Sequence, residues 1–194
     1  MKMTDIERII EESVAVKRLI LKDHELVQRI YDFKSLLVDA YRNGAKVLFC
    51  GNGGSAADAQ HIAAELSGRF YIDRKPLYAE ALHCNSSYMT SVSNDYGYEN
   101  VFSRAVEAMA RKGDVLVGIS TSGNSSNVLK AFEKAREMGV CTVEMTGNDG
   151  GKIAPFADLI INVPSDVTPR IQESHIMIGH IVCELVEKEL FGNE

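Results

Sequence analysis

Over residues 4–43 apolar side chains fall at helical spacing: Ile6, Ile9, Ile10 and Val14, then Leu26, Ile30, Phe33 and Leu37. That periodicity predicts two helices, the second ended by Asn43-Gly44. Beyond Gly44 short apolar runs alternate with longer amphipathic segments. Strands are predicted over 46–50, 115–119, 140–145 and 158–163, with a further apolar run at 77–83. Helices are predicted over 55–68, near 86–93, over 99–111 and 125–138, and finally over 169–191. Strand–helix alternation of this kind builds a parallel sheet covered on both faces, an α/β doubly wound domain. The helical pair ahead of the first strand stands outside the repeating unit. Such a pair serves either as an oligomer surface or as cover for one face of the sheet. With 194 residues and no repeat, linker or low-complexity tract, one domain is the simplest organisation.

Two strand-to-helix junctions are unusually rich in glycine and hydroxyl side chains. The first is Gly51-Asn52-Gly53-Gly54-Ser55, and the second is Ser120-Thr121-Ser122-Gly123-Asn124-Ser125-Ser126-Asn127. Glycine lets the backbone approach a ligand closely, and free N–H groups at a helix start point at an anion. Neither loop carries the lysine of a nucleotide P-loop, so an anion would be held by dipoles and hydroxyls. The pattern Gly51-x-Gly53-x-x-Ala56 also resembles a dinucleotide fingerprint, but the segment near Asp73 does not read as the end of a second strand. Two anion loops at the carboxyl ends of parallel strands, where α/β sheets bind ligands, point to a phosphorylated small molecule.

Bulk properties narrow the classes. A formal net charge of -6 argues against a nucleic-acid footprint, and the short cluster at Arg69 and Arg74-Lys75 reads as solvated surface. The cysteines Cys50, Cys84, Cys141 and Cys183 lie far apart and show no zinc-finger spacing. They read as small buried hydrophobes of a reducing compartment. The N-terminus, Met1-Lys2-Met3-Thr4-Asp5, is charged and has no apolar leader core, and no apolar stretch reaches membrane-span length. A cytoplasmic location, with no membrane and no nucleic-acid partner, is expected.

Candidate chemistry sits on two helices. His61 and Glu65 are four residues apart on one face of the helix that opens at the glycine loop, among small alanines. Gln172 and His180 share a stripe of the last helix, eight residues or roughly 12 Å apart. His61, Glu65, Gln172 and His180 are a candidate N/O site for zinc. The plainer alternative is a surface His–Glu pair and a core histidine bonded to a carbonyl. His24, His83 and His175 have no comparable context.

As an ordered set, several motifs resemble the SIS (sugar isomerase) domain, and within it the bacterial phosphoheptose isomerases. They are Cys50 to Ser55, His61-x-x-x-Glu65, Asn94-Asp95-Tyr96-Gly97, Gly118 to Asn124, Thr146 to Gly151, and Arg170-Ile171-Gln172-Glu173. The resemblance covers essentially the whole chain. It implies a three-layer αβα sandwich with a five-stranded parallel sheet of flavodoxin-like winding, preceded by N-terminal helices over 1–43 that contribute to oligomerisation. It implies an intramolecular oxidoreductase that converts D-sedoheptulose 7-phosphate into D-glycero-D-manno-heptose 7-phosphate. That reaction opens the route to activated heptoses of lipopolysaccharide, capsule or S-layer glycans. A homotetramer with active sites at subunit interfaces, and one Zn2+ per subunit, are implied as well.

Carried onto this sequence, the resemblance makes Glu65 and His180 the catalytic acid/base pair. Asn52, Gly53, Gly54, Ser55, Glu65, Asn94, Asp95, Ser120, Thr121, Ser122, Ser125 and Gln172 contact substrate, and His61, Glu65, Gln172 and His180 hold the metal. Pro169 stands where some relatives have an acidic residue, so no accessory carboxylate is expected there. Non-catalytic SIS proteins that bind a replication initiator share the fold but lack the glutamate and the final histidine. Another sugar-phosphate isomerase, such as an arabinose 5-phosphate isomerase, is the nearer alternative.

Overall fold

The computed structural model describes residues 4–192, so the first three residues of the N-terminal extension and the last two of the chain lie outside the described residues. Helix α1 (Asp5–Lys22) starts at a capping box in which Thr4 and Glu7 satisfy each other's backbone N–H groups. Asp23 ends α1 and caps α2 (His24–Arg42) through its carboxylate, which accepts the Leu26 N–H at 3.0 Å. One residue thus divides the helical stretch in two. Gly44, at φ 71°, turns the chain out of α2.

Five strands follow: β1 (Val47–Gly51), β2 (Ala79–Ala81), β3 (Val115–Ser120), β4 (Cys141–Thr146) and β5 (Leu159–Asn162). All pair in parallel in the order β2-β1-β3-β4-β5. This is the flavodoxin-like order, whose switch point lies between β1 and β3. The intervening helices are α3 (Gly54–Ser67), α4 (Ser86–Tyr96), α5 (Val101–Met109), α6 (Ser126–Glu137) and α7 (Thr168–Phe191). The run predicted as a strand over 77–83 pairs only at its centre. The helix predicted over 99–111 opens with a 3-10 turn at Tyr98–Asn100.

Alternation along the strands divides the core. Val47, Phe49, Val115, Val117, Ile119, Val143 and Met145 face α1, α2, α3 and α7. Leu48, Cys50 and Leu116 face α4, α5 and α6. Glycine is required where β3 passes α6, because a Cβ on Gly118 would lie 2.8 Å from Phe132 and from Val128. Val16, Ile20, Leu26, Ile30, Phe33 and Leu37 of the N-terminal helices are buried in the first core, so part of the pair covers the sheet. Ile6, Ile9, Ile10, Leu19 and Leu21 remain exposed. Of the cysteines, Cys50 and Cys183 are buried, with burial pushing each thiol up to about 12, whereas Cys84 is exposed, contrary to the expectation of buried thiols.

Candidate active site

Both glycine–hydroxyl loops lie at the carboxyl ends of β1 and β3, beside the switch point. Gly53 takes φ 56° and ψ -122°, a conformation open to glycine, and so lets α3 begin immediately after β1. Gly51 is pinned by close approach: a Cβ there would lie 2.7 Å from the Ser55 carbonyl oxygen and 3.0 Å from that of Ile119. Ser55 is buried in the first turn of α3. Neither α3 nor α6 has a side-chain cap on its N-cap residue, which leaves the N–H groups of Gly54 and Ser55 and of Ser126 and Asn127 to serve an anion. In the second loop the Ser120 and Ser125 hydroxyls are 3.0 Å apart. Thr121, Ser122 and Asn124 line a cavity of about 330 Å³ with Asn148, Asp149 and Thr168. Asn94 and Asp95 are exposed on the last turn of α4, joined by a 2.8 Å hydrogen bond. Tyr98, just beyond them, donates to Asn52 at 3.0 Å, which ties that segment to the glycine loop.

A second group forms farther along α3. Helices α3 and α7 lie side by side in parallel: Gln172 lies against Gly54, and Gly179 against Ile62. In that register His61 meets His180, with Nε2 atoms 2.9 Å apart, and Glu65 Oε1 lies 3.3 Å from His61 Nε2. The Phe70 ring backs His180 at 5.7 Å between centroids. Donor atoms of His61, Glu65 and His180 all lie within 4.8 Å of one another. Two imidazoles and a carboxylate at this spacing suit zinc with an open coordination position, so the residues present fit such an ion. The Gln172 amide lies beside Gly54, toward the glycine loop from these three side chains.

The structure therefore brings together His61, Glu65 and His180 in one group. Asn52, Gly53, Gly54, Ser55, Ser120, Thr121, Ser122, Ser125 and Gln172 gather in another, with Asn94 and Asp95 at its edge. Along α3, His61 stands seven residues or roughly 10 Å, and Glu65 eleven residues or roughly 16 Å, beyond Gly54.

The support behind these groups was not anticipated. Glu187, 2% exposed on α7, accepts the N–H groups of Phe70, Tyr71 and Ile72 and the Nε–H of Arg74. Burial alone would push its carboxyl up, but these donors more than offset that and hold it below the ordinary range. Arg74 in turn donates to the carbonyls of Glu65, Leu66 and Gly68, closing the end of α3. This pair fastens the connector that presents Phe70 to His180. No motif marks it: the sequence shows only the short basic cluster of Arg69 and Arg74-Lys75, expected at a solvated surface, whereas the Arg74 side chain is 1% exposed because it pairs with Glu187.

Comparison with known proteins identifies the family. The SIS domain family matches residues 11–147. Over 189 residues the chain is 54% identical to the phosphoheptose isomerase of Clostridium acetobutylicum, covering 97% of this chain and 96% of the relative. The chain belongs to the phosphoheptose isomerase family. The Mycobacterium tuberculosis phosphoheptose isomerase is 57% identical over 186 residues, covering 96% of this chain and 95% of the relative. Among solved structures, the phosphoheptose isomerase of Neisseria gonorrhoeae superposes with a TM-score of 0.89 at 44% identity, covering 95% of this chain and all of that one. A phosphoheptose isomerase fold thus carries both loops and the His–Glu–His group.

Proposed function

We propose that the protein interconverts D-sedoheptulose 7-phosphate and D-glycero-D-manno-heptose 7-phosphate by proton transfer through an enediol. The observation that carries this reading is the meeting of the Glu65 carboxylate from α3 with the His180 imidazole from α7, within a phosphoheptose isomerase fold. The terminal phosphate sits at Ser120, Thr121, Ser122 and Ser125, beside the first N–H groups of α6. Asn52, Gly53, Gly54, Ser55 and Gln172 line the sugar, and Asn94 and Asp95 hold its hydroxyls. Glu65 takes the proton from C1 of the open-chain ketose and returns it to C2, while His180 moves a proton between the two oxygens. His61, Glu65 and His180 would hold a zinc ion, which when bound supplies a Lewis acid for the carbonyl and hydroxyl oxygens.

The active site is taken as shared, the loops of one copy facing the Glu65–His180 group of another. Along α3 the Glu65 backbone stands roughly 16 Å and the His61 backbone roughly 10 Å beyond Gly54, against about 10 Å from C1 to phosphorus in an extended seven-carbon sugar phosphate. The exposed Ile6, Ile9, Ile10, Leu19 and Leu21 supply apolar surface for a homotetramer of that kind. None of the described helices is long and apolar enough to cross a membrane, which accords with a cytoplasmic enzyme feeding heptose-containing surface glycans.

The test is direct. Purified protein incubated with sedoheptulose 7-phosphate should form the aldose, lose activity with a chelator and regain it with zinc. Glu65→Gln should nearly abolish turnover with folding intact. Metal-replete protein that forms no aldose, or a Glu65→Gln variant that keeps most of its activity, contradicts the reading.

A further inference from the structure

We infer that Asn127 and Tyr98 are positioning residues that make Asn52 a pure hydrogen-bond donor toward the sugar. Asn127 is 3% exposed in the first turn of α6, directly behind the phosphate loop. Its Oδ1 accepts the Val128 backbone N–H at 3.0 Å. A backbone N–H can only donate, so this bond decides which end of the Asn127 amide is oxygen. The Nδ2 of Asn127 then donates to Asn52 Oδ1 at 2.8 Å, and the Nδ2 of Asn52 returns a bond to Asn127 Oδ1 at 2.9 Å. The Tyr98 hydroxyl donates to the same Asn52 oxygen at 3.0 Å.

An amide oxygen has two lone pairs and an amide nitrogen two N–H bonds. Both acceptor positions of Asn52 are occupied, and one of its donors is used. What remains is a single N–H, the one trans to the carbonyl oxygen, which points away from Asn127. Asn52 Nδ2 donates to Asn127 Oδ1 alone among the described residues, and glycines flank Asn52 on both sides in sequence.

The consequence is chemical. Proton transfer between C1 and C2 builds negative charge on the sugar oxygens, and a fixed donor favours that charged state without reorganising. A freely rotating amide would present its carbonyl about as readily and oppose the charge. The pair also joins the two ligand loops, since Asn52 lies within the first and Asn127 ends the second. Tyr98 adds the segment that bears Asn94 and Asp95.

This inference rests on the isomerase reading for its role in turnover, but the amide arrangement itself is read without activity. Asn127→Asp keeps an acceptor for Val128 and replaces the donor facing Asn52 with an anionic oxygen. In isomerase assays its kcat should fall at least about tenfold. Asn52→Ala should lower kcat as much, and the double variant no further, because the effect passes through Asn52. Tyr98→Phe, at a half-exposed site that folding tolerates, should lower kcat a few-fold and likewise lose its effect in the Asn52→Ala background. Additive losses, or an unchanged kcat in Asn127→Asp, overturn the inference. NMR supplies the independent readout. The Asn52 side-chain amide should show two resolved protons, one of them protected from solvent exchange, and Asn127→Asp should abolish that protection. A wild-type Asn52 amide with both protons exchanging freely refutes the positioning role, even if the protein does not act on sedoheptulose 7-phosphate.

Discussion

Glu144 lies at the centre of β4 with no exposed surface, and neither carboxyl oxygen has a hydrogen-bond partner among the described residues. Burial, reinforced by the nearby charge of Asp149, pushes its carboxyl up to about 8 from the ordinary 4.5. The folded protein therefore holds a proton that the unfolded chain releases, so stability falls as pH rises from the unfolded value toward the folded one. Each unit of separation corresponds to about 1.4 kcal/mol, which makes the cost roughly 3 kcal/mol at pH 7 and under about 1 kcal/mol at pH 5. Glu144→Gln keeps the shape and removes the titration. Urea unfolding followed by far-UV circular dichroism, at fixed protein concentration, should show the variant ahead by a margin that widens from pH 5 to pH 8 and then levels. At neutral pH the gain should raise Tm by about 6–12 °C for a chain of this size. A margin that does not change with pH, or a wild-type protein more stable than the variant at pH 8, would refute the reasoning.

Two further substitutions separate support from chemistry. Glu187→Ala leaves the Arg74 guanidinium buried and three N–H groups without their acceptor, so denaturant unfolding should show a loss of about 3–5 kcal/mol. Because the Glu187 carboxyl is held low, the stability it contributes is present above the ordinary glutamate range and fades as pH falls through its lowered value; the variant should lack that acid-side decline. Gly54→Ala places a methyl group on the Gln172 amide, the far end of a flexible side chain, so Tm should change little while kcat/KM falls at least about tenfold. An unchanged kcat/KM would remove Gln172 from the sugar site.

Much of the fold was legible because strand and helix periodicities differ and glycine and hydroxyl residues cluster where strands give way to helices. The break between α1 and α2 was not located, since Asp23 reads as one more polar residue until its carboxylate is seen on the Leu26 N–H. His61 and Glu65 could be paired from spacing alone. Their meeting with His180 depends on the register between α3 and α7, which is a property of packing. The same register sets Gln172 beside Gly54 and Gly179 beside Ile62, which spacing along α7 alone does not reveal. In the sequence Asn127 reads only as the end of a loop, Arg74 only as solvated surface and Glu187 not at all, because their role is to hold neighbouring residues through contacts that packing alone creates. Glu144 did leave a trace, as the one charged residue in the strand Cys141–Thr146.

In the proposed function, two halves of a site, from different copies, close on one sugar phosphate. Glu65→Gln disables one half, and Ser122→Asp, which sets a negative charge in the phosphate loop, disables the other. Each variant alone should be inactive. Dissociated, mixed in equal amounts and reassembled, they should recover about a quarter of wild-type isomerase activity, because random pairing of copies rebuilds that share of intact sites. A mixture as inactive as its components, in assemblies shown to contain both chains, would contradict the shared site.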